Sequence, residues 1–186
     1  MGKSDFSQLK AFQKRLEKAA NGQQKQQFYE DCARELAARF LAKVIKRTPV
    51  GKGTFETVVL GNGKNKQKRI SQGGVLRRGW TAKTEAEAES GGTVNSLQYA
   101  QSLKVDKVGR NYQITITNPV SYASYVEFGH RQEPGRFVQA IGKRLKAGWV
   151  KGQFMMTISE KELQSQAPGI IKRKFEVFLR EVLDGK

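Results

Sequence analysis

The chain of 186 residues carries one cysteine, one histidine and four prolines. A lone thiol, Cys32, excludes an intrachain disulfide framework and leaves a thiolate zinc site without ligands. With His130 as the sole imidazole, any metal site or acid–base pair would depend on carboxylates. Acidic residues are scarce as well: 17 Asp and Glu face 34 Lys and Arg, a formal net charge of +17. That excess favours polyanions or acidic protein surfaces as partners and says nothing about fold. No run of about 18 apolar residues is present to cross a bilayer, so no membrane partner is expected. Residues Met1 to Asp5 lack the apolar core of a secretory signal, which predicts a protein made and kept in a cytosol-like compartment or assembled there into something larger.

Catalytic signatures are missing too. The sequence holds no phosphate-binding glycine loop ending in Gly-Lys-Ser or Gly-Lys-Thr, no dinucleotide fingerprint and no His-Glu pair at helical spacing. An enzyme would need residues that converge only in three dimensions. The expectation is a non-enzyme with no cofactor. Glu127, His130 and Glu133 are close enough in sequence to suggest metal ligands, but such residues in a charged turn more often form surface hydrogen bonds and ion pairs. No metal is expected.

What the sequence does have is 38% hydrophobic residues, including 10 Phe and 2 Trp, enough for one core in a chain of single-domain length. One domain over residues 1–186 is expected. Phe6, Leu9, Phe12, Leu16 and Ala19 recur at helical spacing, predicting a helix from Ser4 to Ala20 that ends near Asn21-Gly22. Phe28, Cys32, Leu36, Phe40 and Val44 continue the period into a second helix stopped by Pro49, with alanines at 33, 37 and 38 for close approach of another element. Cys32 sits on its apolar stripe as a packing residue.

From Pro49 to Gly79 glycines recur and periodicity fades, apart from Val58-Val59-Leu60. The segment reads as a long loop or an extended arm, with a basic arm over residues 52–74. Between Lys43 and Lys83 stand eleven basic residues and a single acidic one, Glu56, so +10 of the net charge is local. Lys52, Lys64, Lys66, Lys68 and Arg69 are the arm's candidate contacts. They would neutralise phosphates in a nucleic-acid site, with Trp80 available for stacking. The same charges serve solvation or protein docking, and Trp80 could simply begin a buried strand.

Glu85 to Glu89 fits a helical turn or a strand edge equally well. A hairpin is expected from strands near Ser102–Val108 and Asn111–Asn118, ended by Pro119. Val120 to Phe128 predicts a helical turn closed by Gly129, followed by a charged turn over 131–136. Residues 137–150 fit a short helix weakened by Gly142 and Gly148. Phe154 to Ile158 could be an apolar turn or a helix start, and a C-terminal helix follows Pro168-Gly169. The sum is an α+β domain: long helices packed on a small, mainly antiparallel sheet, with an extended basic loop or arm.

The order of several short signals resembles the HK97 gene-product-ten-like family of tail-completion or head–tail connector proteins. They are Arg47-Thr48-Pro49-Val50-Gly51, Val75 through Trp80, Asn118 through Arg131, and Trp149 through Met156. The usual members place an aspartate-threonine-glycine turn after the proline-valine pair, where this chain has Gly51-Lys52-Gly53 and then the basic arm. The resemblance implies a virion protein of the neck or upper tail, assembled in the host cytoplasm. It implies a homo-oligomeric ring, hexameric or dodecameric, between a head-completion or adaptor protein and the tail terminator or tail tube, with nonspecific proximity to packaged DNA. Arg77, Arg78, Tyr122, Tyr125, Glu127, His130, Arg131 and Arg136 are then subunit-interface candidates. Tyr122, Tyr125, Val126 and Phe128 would lock their turn onto the hairpin and the second helix, and the 52–74 arm would cross to a neighbouring subunit. The alternative is a nucleic-acid-binding accessory protein using the basic 52–83 region.

Overall fold

The computed structural model describes residues 7–51, 54–59, 65–71, 73–92, 94–138 and 143–184. Helices α1 (Ser7–Asn21) and α2 (Gln23–Arg47) meet at Gly22, where the first helical period was expected to break. α2 is the central element, contacted by α1 and by two later helices, α5 (Ser96–Ser102) and α7 (Met155–Asp184). That position rotates its buried stripe away from the expected one. Cys32, Ala37, Ala38, Leu41 and Val44 are buried, while Leu36 and Phe40 are only half-buried. The small alanines admit neighbouring helices closely, so the deepest line of contact runs over them. Burial raises the Cys32 thiol pKa, in keeping with a packing residue.

The stretch read as a long loop or an extended arm contains an antiparallel hairpin, β1 (Thr54–Val59) with β2 (Asn65–Ser71), Val58 opposite Lys66 and Glu56 opposite Lys68. Lys52 and Lys64 lie outside the described residues, and for Lys66, Lys68 and Arg69 the backbone alone is described. After it come α3 (Val75–Arg78), a 3-10 turn (Gly79–Thr81) and α4 (Glu85–Glu89). α4 resolves the Glu-Ala repeat as a helix because the Thr84 hydroxyl accepts the Glu87 amide, a cap that a strand edge lacks.

Leu97 and Tyr99 belong to helix α5, with the Asn95 side chain capping its start. The expected hairpin is correspondingly shorter: β3 (Asp106–Val108) and β4 (Asn111–Gln113), turning at Gly109. From Gln113 to Asn118 exposed and half-buried residues still alternate, as expected, and Ile114 and Ile116 pack on the core. That core gathers Leu41, Val44, Leu76, Trp80, Val120 and Met155, drawn from across the chain.

Helix α6 (Ala123–Phe128) ends at Gly129 as expected. Beyond it the charged turn is present, with the Arg136 amide on the Glu133 carbonyl, but the short helix is corrected: the chain runs out and back as a ribbon in which β5 (Gly129–Arg131) pairs antiparallel with β8 (Trp149–Lys151), and β6 (Phe137–Val138) with β7 (Lys143–Arg144). Backbone bonds from Gln132 to Gly148 and between Arg136 and Leu145 join the two pairings. Long-range register, invisible to a helical window, decides this segment. α7 then starts at Met155 and continues through Pro168, earlier than the expected start after Pro168-Gly169. Proline's φ is helical, and because Pro168 is exposed, water can serve the Gln164 carbonyl that it leaves without a donor. The class is α+β, with the strands distributed over four two-stranded antiparallel pairings among the described residues.

Candidate assembly surface

One buried side chain ties α6 to the start of α7. Glu127 is 4% exposed, and its carboxylate accepts the Met156 amide at 2.8 Å, the Thr157 amide at 2.9 Å and the Thr157 hydroxyl at 2.7 Å. These amides belong to the first turn of α7, whose donors have no partners within the helix. A buried carboxylate there satisfies them and meets the positive end of the helix dipole. Glu127 is thus engaged inside its own chain, and its carboxylate is drawn away from both His130 and the exposed rim. Among the described residues, no group of three or more His, Cys, Asp or Glu is placed to hold a metal.

The ribbon leaves this anchor through a close backbone approach. Gly129 has φ 82°, and a Cβ there would run into the Val150 carbonyl oxygen and come within 2.7 Å of the Gly152 nitrogen. Gly152 N and Gly129 can approach only because neither carries a side chain. With β5 and β8 in register, Arg131 lies opposite Trp149 and His130 opposite Val150. The two faces differ: Arg131, Trp149 and Lys151 are exposed, whereas His130 and Val150 are half-buried, with the imidazole 5.5 Å from the Tyr125 ring. Arg136 is exposed farther along the ribbon.

The aromatic residues expected to lock this region in place are mostly outside. Tyr122, Tyr125 and Phe128 are exposed, as are Phe137, Trp149 and Phe154; Val126 alone of the expected quartet packs on the core. The locking is done instead by Glu127 and by the Gln153 and Phe154 amides, which donate to the Val126 and Glu127 carbonyls. Sequence reasoning missed both Glu127's capping role and the exposure of Trp149. The acceptor and its helix are about 30 residues apart, beyond any local capping signature.

Arg77 and Arg78 are half-buried and face inward. Arg77 donates through Nε and Nη2 to the Thr48 carbonyl, while Arg78 bridges the Ala88 and Gly73 carbonyls. Trp80 is 3% exposed in the 3-10 turn, with its indole N–H on the Thr48 hydroxyl. It neither begins a strand nor offers a face for stacking a base. Beside this region lies α4, with Glu85 bonded to the Ser121 hydroxyl at 3.0 Å. Burial first, then the Glu85 and Glu89 charges, raise the pKa of the neighbouring Tyr122 phenol.

Residues 10–129 match the family model described as "Bacteriophage HK97-gp10, putative tail-component". The chain belongs to the HK97 gp10-like family of phage tail components. The match takes in most of α1, all of α2, the β1–β2 hairpin and α3 through α6, and stops at Gly129. In this HK97 gp10-like chain the ribbon and α7 therefore lie beyond the matched residues, as does the resemblance at Trp149 to Met156. No curated protein and no solved structure matches the chain. None of the described helices of this family member is long and apolar enough to cross a membrane.

Proposed function

We propose that this tail component is a non-catalytic structural protein of the phage neck or upper tail. Copies of it close into a hexameric or dodecameric ring that joins the head-completion side to the tail tube or its terminator. The observation that carries the reading is the family match through α6, the helix on which the exposed aromatic surface begins. Exposed Tyr, Trp and Phe beside arginine are the side chains that dominate protein interfaces. An assembly component would cover them, whereas a monomer leaves them in water. Burial of Trp80 further favours protein contact over nucleic-acid stacking, leaving the basic 52–83 region to act by charge alone.

The test is cryo-electron microscopy of the native particle with density assigned for residues 54–71 and 122–151. A ring between head and tail is the expected result. Absence from particles, together with discrete density on DNA, would overturn it in favour of a nucleic-acid accessory role.

A further inference from the structure

The Gly129–Lys151 ribbon is an arm with an uncovered face. β5 touches α6 at its root, and among the described residues β6, β7 and β8 make no more than marginal contact with the helical body. A two-stranded ribbon is marginal in water without a surface to lie on. Its exposed face combines Trp149, 59% exposed, with Arg131 and Lys151, and among the described residues none of these cations forms an ion pair. The charge it presents is positive, so what it meets must be acidic, even if that surface belongs to another copy of a +17 chain.

One element suits. α4 has glutamates at three of its five positions, and no Lys or Arg lies within ion-pair reach of them among the described residues. Elsewhere Glu30, Asp31 and Glu35 pair with Arg34 and Arg39, Asp106 with Lys104, and Glu162 with Lys43 and Arg47, while Glu127 caps α7; Glu133, Glu176, Glu181 and Asp184 form no ion pair among the described residues, but each shares its segment with Arg or Lys, whereas α4 itself holds none. Beside α4 stands the exposed Tyr122, next to the Ser121 whose hydroxyl Glu85 holds.

We propose that the Arg131–Trp149–Lys151 face of one copy docks on the α4–Tyr122 face of a second copy. The donor and receiving patches are different surfaces, so the contact is heterologous and propagates head to tail, which closes into a ring when the rotation allows. This inference rests on the ring reading above and names the contact that builds it.

The test uses the full chain, with mass read by light scattering after gel filtration and folding by thermal melts. R131E with K151E, and separately E85K with E89K, should each reduce the ring fraction at least tenfold while the thermal melt still shows a folded chain, E85K also losing its Ser121 contact. Combining all four should restore it. W149A should also weaken assembly, without depending on charge. Rings that persist in both charge-reversed variants, or that the combination fails to restore, would overturn the pairing and leave the ring itself standing. A wild-type chain that stays monomeric, or stops at a two-fold dimer, would overturn the ring reading and the inference together.

Discussion

The indole N–H of Trp80 donates to the Thr48 hydroxyl at 2.8 Å, and the same hydroxyl donates to the Val44 carbonyl at 2.6 Å. Thr48 is fully buried where α2 ends, so one side chain closes the helix and satisfies the largest polar group of the core. Thr48→Val keeps the volume and leaves the indole without an acceptor, a loss of about 1–3 kcal/mol. Urea unfolding should register it. In the Trp80→Phe background the same change should cost clearly less, since no donor is left to strand. Equal costs in both backgrounds would contradict the coupling.

Removing the cap on α7 tests Glu127. Glu127→Ala leaves the Met156 and Thr157 amides buried without their acceptor, at a cost of about 1–3 kcal/mol. Glu127→Gln keeps one oxygen and should lose less. Hydrogen exchange at those two amides is the direct measurement, and unchanged protection in the alanine variant would refute the assignment.

Acid should loosen the α2–α7 contact. Glu162 accepts Lys43 Nζ at 3.0 Å and pairs with Arg47, which also donates to Ser159. The hydrogen bond from Lys43, followed by the Arg47 charge, holds the Glu162 carboxyl below its ordinary pKa, against the opposing effect of desolvation. A lowered folded-state pKa means the stabilisation is complete above the unfolded value of about 4.3. It is lost as pH falls through the lowered folded value. Glu162→Gln should therefore lower Tm at pH 7 and narrow to the wild-type value in strong acid. A constant difference across that range would exclude the linkage.

Pro168 is exposed inside a 30-residue helix and withholds one backbone bond. Pro168→Ala restores the donor and should stabilise the chain by up to about 3 kcal/mol, read as a rise in Tm. A fall in Tm would mean that packing of α7 depends on the proline.

Gly129→Ala should be far less tolerated. Its φ of 82° and the Val150 carbonyl leave no room for a Cβ, and left-handed strain alone costs about 1–3 kcal/mol. Loss of β5–β8 pairing should follow, visible as increased exchange at the Gln132 amide, which donates to the Gly148 carbonyl across the ribbon. Native protection there would contradict the geometry.

Local periodicity determined α1, α2 and the C-terminal half of α7, because a helix burying one stripe writes its contacts at three- and four-residue intervals. The same logic made Cys32 a packing residue, and the alternation around Tyr112, Ile114 and Ile116 survives as a pattern of burial. Gly129 as a helix stop was also legible, since few other residues adopt its φ. Only the tertiary structure decided that Glu127 caps a helix about 30 residues away, that Arg131 lies opposite Trp149, and that Tyr122, Tyr125 and Phe128 remain outside. Each of these depends on which distant backbone arrives nearby. An amide that needs an acceptor leaves no periodic trace in the sequence of the residue that supplies it.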